Sequence, residues 1–189
     1  MRLAMPAILL VAAFGLAGCY VGKTAFITPE TADYPVAHRT HFDGFLPRGT
    51  DWRPQAGRTL GIVDKYYVYI EDGETERSVP FLMKQIAPGR FIIQMNDSSD
   101  PARISEYYYS LVDFDGKTAI QFQPACVPRQ AWIDQKLIET VERTSTNTRC
   151  LFKTLENLSS VLLEAAKTTL PEAKFVLTAP PAVRPAPPR

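Results

Sequence analysis

Both histidines of this chain fall within six residues, His38-Arg39-Thr40-His41-Phe42-Asp43. Two imidazoles three apart, with a carboxylate close behind, suit a divalent cation if the backbone turns helically there, or a general base. Arg39 stands between them, and its charge opposes a cation. The stretch therefore reads as two surface histidines in an irregular segment. A second polar run, Asn96-Asp97-Ser98-Ser99-Asp100-Pro101, alternates oxygen ligands in the manner of a calcium loop. It lacks the glycine and the distant glutamate of that pattern and reads as a tight polar turn.

Other chemistry is missing its signatures. The chain has no G-x-S-x-G elbow, no S-x-x-K and no glycine-rich phosphate loop. Paired carboxylates for glycoside hydrolysis are defined only in three dimensions, so the presence of 20 acidic residues decides nothing. The sequence thus assigns no catalytic residue, no metal and no cofactor. Tyrosines offer more: in extended chain Tyr67 and Tyr69 share one face, and so do Tyr107 and Tyr109. Such pairs on adjacent strands form either a surface for protein or glycan recognition or a core whose hydroxyls reach its edge. Both readings stay open.

The fourth chemically notable feature is Leu16-Ala17-Gly18-Cys19, which ends an uncharged run beginning at Leu3, behind Met1-Arg2. About 14 apolar residues rise only ~21 Å as a helix, short of the ~30 Å hydrocarbon core of a bilayer, so a removable leader fits better than a span. Those four residues are similar to the lipobox of bacterial lipoprotein precursors, a resemblance confined to the leader. It implies diacylglycerol on the Cys19 thiol, cleavage before Cys19 and acylation of the new amine. Two or more acyl chains make a stable membrane resident. Tyr20 follows, where Asp favours inner-membrane retention in enteric members of that family, and its presence points to the outer membrane. The implied location is the bacterial cell envelope, lipid-anchored and facing the periplasm.

With Cys19 set aside, Cys126 and Cys150 remain, and an even pair in an exported chain favours a disulfide. Closing that loop contributes roughly 3 to 4 kcal/mol in the chain-entropy model. Removing the leader leaves roughly 170 residues, one domain with a real core. The counts of 21 basic and 20 acidic residues, with no basic block, exclude the electrostatic footprint of a nucleic-acid binder.

These residues must be positioned by the elements around them. The expected organisation is a signal peptide over 1–18, a tether and irregular lead-in over 19–57 carrying Pro29, Pro35, Pro47 and Pro54, one domain over 58–178, and a proline-rich tail over 179–189. Within the domain, Thr59 to Ile70 reads as a strand turning at Asp72-Gly73. Phe91, Ile93 and Met95 occupy one face of another strand, alternating with Ile92, Gln94 and Asn96 on the opposite face. Ile104 to Phe114 and Lys117 to Gln123 flank an Asp115-Gly116 turn. Residues 130–148 read equally as helix or strand. Leu155, Leu158, Val161, Leu162, Ala165 and Ala166 stripe a helix over 154–170, capped by Thr154 and stopped by Pro171, before a short strand from Lys174 to Thr178.

The expected fold is α+β, an antiparallel sheet meander with a C-terminal helix packed on it. The leading expectation for function is a non-enzymatic, membrane-anchored lipoprotein that binds an envelope protein or cell-wall component or serves a structural role. The alternatives are an inhibitor of a periplasmic hydrolase and a carboxylate-dependent envelope hydrolase.

Overall fold

The computed structural model describes residues 20–71, 74–75, 79–98, 103–143 and 147–178. The leader, Cys19, the Asp72-Gly73 turn, residues 99–102 of the polar turn and the proline-rich tail lie outside the described residues. In chain order the elements are β1 (Tyr20–Gly22), β2 (Thr40–Arg48), β3 (Asp51–Val63), β4 (Tyr66–Glu71), β5 (Glu74–Thr75), β6 (Phe81–Ala87), β7 (Arg90–Asn96), β8 (Tyr107–Phe114) and β9 (Thr118–Phe122). There follow α1 (Gln130–Asp134), β10 (Thr140–Arg143), β11 (Thr148–Leu151), α2 (Leu155–Ala166) and β12 (Ala173–Thr178).

Short turns force neighbouring strands to run antiparallel. Asp115 supplies the turn between β8 and β9: its carboxylate accepts from the amides of Lys117 and Thr118 at 2.8 and 2.6 Å, while Gly116 takes φ 91°. Seven strands, β2-β3-β4-β6-β7-β8-β9, form a meander, and β12 pairs with both of its edges. Lys174 lies opposite Phe45 of β2 on one side and Ile120 of β9 on the other. The result is a closed barrel of eight antiparallel strands.

This corrects the expected architecture. The antiparallel meander is present, but the protein is mostly β and its sheet closes on itself, whereas the sequence suggested an α+β sheet backed by a terminal helix. The helix α2 does form, with the Thr154 hydroxyl accepting from the Asn157 amide at 3.2 Å, but it belongs to an insertion between β9 and β12. The segment left open between helix and strand contains both: α1, then the β10–β11 hairpin.

Two further expectations change. Thr59 to Ile70 is a hairpin: β3 ends at Val63, and Asp64 and Lys65 turn the chain with φ of 48° and 67°. Positive φ at both central residues is the turn geometry that matches strand twist. The supposed lead-in also holds sheet, since β1 lies between β8 and β11, and the β2–β3 ribbon reaches back to Thr40. That ribbon has a register shift between Phe42 and Gly44, and Pro47 and Pro54 lie beyond it in continuous register.

Strand alternation divides the apolar residues into two clusters, one on each side of the barrel wall. Phe42, Leu60, Tyr67, Phe81, Met83, Phe91, Val112 and Phe114 are buried inside the barrel, with Ile93 and Met95 packed against them. Leu82, Ile92, Tyr109 and Leu111 point outward and are covered by Leu158, Val161 and Leu162 of α2, by Trp132, and by the disulfide. Each fully buried Leu or Val contributes roughly 2 kcal/mol relative to exposure, which fixes the insertion to the wall.

Candidate functional site

The four tyrosines do not form one surface. Tyr67 and Tyr69 face the barrel interior, whereas Tyr107 and Tyr109 point outward beneath the lead-in and insertion. Tyr67 is 0% exposed and Tyr109 1%, so the recognition surface expected of this set is replaced by core packing. The physical reason is that both faces of this wall are covered, so an outward-facing tyrosine is as buried as an inward one. Burial pushes the Tyr67 phenol up to about 12, partly offset by its hydrogen bond to Val36, and burial also raises Tyr69 and Tyr109.

What these side chains hold is the lead-in. The barrel has a weak seam where β4 meets β6 through a single pairing, Tyr67 with Phe81. Residues 33–36 are stitched beside it. The Asp33 amide donates to the Met83 carbonyl at 2.8 Å, and its carboxylate accepts from the Gln85 amide at 2.7 Å. The Tyr67 hydroxyl donates to the Val36 carbonyl at 2.9 Å and accepts from the Val36 amide at 3.1 Å. On the outer face, Gln94 accepts from the amides of Phe26 and Ile27 at 2.8 and 2.9 Å and donates to the Ile27 carbonyl at 2.8 Å. Tyr109 donates to the same Gln94 oxygen, and its ring stacks on Phe26 at 5.3 Å.

A second split occurs along β8, whose Tyr107 and Tyr108 pair with β1 while Leu111 to Phe114 pair with β9. Ser110 lies where the two partners diverge. Its hydroxyl is buried on the interior side without a hydrogen-bond partner, as is the Gln123 side-chain oxygen just past β9. Gln121, on the inward face of β9, is 4% exposed. The residue paired with Ser110 across β7 is Ile93, an inward side chain that keeps some solvent access, and so do Tyr69, Ala119 and Phe175. The Arg58 guanidinium stacks 5.0 Å from the centre of the Tyr69 ring. An interior that is mostly apolar, with several residues only partly buried and one unpartnered polar group, is a candidate ligand site.

The histidines are separately engaged. His38 Nδ1 accepts from the Ile62 amide at 2.9 Å, and His41 Nδ1 lies 3.1 Å from the Thr59 hydroxyl. Asp43 is 3.9 Å from His41 Nε2. Among the described residues no three His, Cys, Asp or Glu side chains converge on one point. In the polar turn the Asp97 carboxylate accepts from the amide and hydroxyl of Ser105. Burial tends to raise that carboxyl, and its hydrogen bonds to Ser105 and Glu106 outweigh it and leave it lowered.

Cys126 and Cys150 form a disulfide with Cα atoms 5.7 Å apart. Cys150 is paired directly with Tyr20, so the bridge fastens the start of the insertion to β11, the insertion strand against which β1 lies. Beside it Glu106 is held by Lys23 at 2.5 Å and by Arg149, which also reaches Glu142 at 3.3 Å. Burial pushes the Glu106 carboxyl up, but the two cations prevail and hold it below its usual range.

Sequence reasoning missed Gln94 and Ser110. Alternation placed Gln94 opposite Phe91 and Ile93, which is correct, and apart from Ile92 on the same face nothing local indicated that this outer face is covered. The fold and site together define a closed antiparallel barrel with a disulfide-tied external insertion. No family model, curated protein or solved structure matches the chain.

Proposed function

We propose that this protein is a lipid-anchored envelope lipoprotein that binds its partner without transforming it, and that the barrel interior is the binding site. The observation that carries the reading is the interior itself, where Ile93, Ala119 and Phe175 face inward yet are only partly buried. A protein whose barrel served only as a scaffold would gain about 25 cal/mol for every Å² of that apolar surface it covered. The partner is a small, largely apolar envelope component whose hydroxyl or amide meets Ser110 and Gln123, two buried groups left without protein partners. Attachment rests on the lipobox-like Leu16-Ala17-Gly18-Cys19, and Tyr20 in place of Asp favours a periplasm-facing site on the outer membrane.

Titration with a fluorescent fatty-acid analogue tests the binding site. Saturable one-to-one binding by the native protein is expected, with loss on Ala119→Phe, which fills the interior, and an unchanged circular dichroism spectrum. No saturable binding by the native protein rejects the interior as the site. Fatty-acid labelling tests the anchor: Cys19→Ser should abolish both labelling and membrane retention.

A further inference from the structure

The structure removes the spacer that a lipid-anchored domain would use to stand away from its membrane. Tyr20, the residue after Cys19, is 0% exposed, and Val21 is 0% exposed. Tyr20 is paired with Cys150 in β11, its ring stacks on Phe152 at 5.8 Å, and its hydroxyl donates to the Ala125 carbonyl at 3.2 Å. Gly22 packs so tightly that an added Cβ would lie 2.9 Å from the Tyr109 hydroxyl. β1 is therefore an interior element of the sheet from its first residue.

This inference rests on the reading of Cys19 as the acylated residue. One peptide step advances about 3.8 Å, whereas the headgroup layer on each side of a bilayer is about 6 Å thick. Acyl chains attached at Cys19 and buried in hydrocarbon would leave Tyr20 at headgroup level. A folded wall fixed to Tyr20 must then lie against the bilayer.

One surface close to that point is the start of the insertion. Tyr20 and Cys150 are strand neighbours, and the disulfide spans 5.7 Å to Cys126, so the Cα of Val127 lies within about 15 Å of that of Tyr20. Val127 is 67% exposed and Ile133 42%. Between them Arg129 stacks 5.0 Å from the Trp132 ring and pairs with Glu164 at 2.8 Å. Exposed aliphatic side chains beside a cation on an aromatic ring suit a bilayer interface, where apolar groups enter the headgroup region and arginine meets phosphate.

We infer that β1 clamps the domain flush to the membrane, with the face carrying Val127, Arg129 and Ile133 seated on the lipid headgroups. The occupant of this face is the bilayer to which Cys19 is attached.

The test uses acylated protein purified from membranes and reconstituted in phosphatidylethanolamine and phosphatidylglycerol vesicles containing lipids brominated near the headgroup. A Trp52→Phe background leaves Trp132 as the reporter, since the chain has 2 tryptophans. Trp132 emission should fall severalfold relative to unbrominated vesicles. Inserting about 20 Gly/Ser residues between Cys19 and Tyr20, a coil of about 25 Å, should abolish that quenching. Acylated protein that is not quenched overturns the flush geometry and leaves the lipoprotein reading intact. Equal quenching with the spacer overturns the inference that β1 holds the face in place. A chain that carries no fatty acid defeats both.

Discussion

The Tyr67 hydroxyl makes two hydrogen bonds to one residue, donating to the Val36 carbonyl and accepting from its amide. A side chain of β4 thereby stands in for the strand partner that residue 36 lacks. Tyr67→Phe leaves a buried N–H and C=O unpaired and should cost about 1 to 3 kcal/mol, read as a lower urea midpoint. The Val36 amide should exchange with solvent faster, with little change at β7 and β8. The same phenol predicts an alkaline effect. Its folded pKa is raised to about 12, so its contribution is complete below the unfolded value near 10 and is lost as pH rises toward 12. Stability of the wild type should fall more steeply over that window than stability of Tyr67→Phe.

Gln94 is the more demanding position. Its side chain satisfies the amides of Phe26 and Ile27 and the Ile27 carbonyl while accepting from Tyr109. Gln94→Met preserves volume and orphans the two amides and the carbonyl, while the Tyr109 hydroxyl keeps the Thr24 carbonyl, so a loss of roughly 3 kcal/mol is expected. Calorimetry measures the loss, and a change within experimental error would mean that water takes over these bonds.

Replacing Cys126 and Cys150 together by Ser should lower stability by about 3 kcal/mol. The disulfide joins the start of the insertion to β11, beside Tyr20, so hydrogen exchange should rise first in β1 and β11. The barrel's far strands, β2 and β3, should keep their protection.

Acid should loosen the same corner. Glu106 has its carboxyl pKa lowered between Lys23 and Arg149. A depressed carboxyl contributes stability that is full above its unfolded value and disappears as pH falls through the folded one. Glu106→Gln should flatten the acid limb of a stability-against-pH profile, with most of the difference below about pH 4.5.

Much of the wall was legible in the sequence because its signals are local. Asp115-Gly116 announced a hairpin, Phe91, Ile93 and Met95 announced an inward face, and Thr154 with its apolar stripe announced α2. Asp64-Lys65 went unseen because neither residue is glycine, although both adopt φ above 40°. Pro47 and Pro54 disguised the β2–β3 ribbon, where they lie opposite Trp52 and Phe45. Closure was illegible for a different reason: it depends on β12 finding β2 and β9 across the insertion, and no local pattern encodes a pairing at that separation. The tyrosines misled in the same way, since alternation gives the side of a strand and says nothing about what covers it.

The placement of β12 also sets an order of events. A chain emerging N-terminus first presents seven strands of the meander, with β2 and β9 as open edges, before the strand that joins them exists. Unpaired edges template the wrong partners, and pairings distant in sequence form slowly. The barrel is therefore most vulnerable while its final strand has yet to arrive, and a factor that shields β2 and β9 at that moment would govern yield more than any contact in the finished fold.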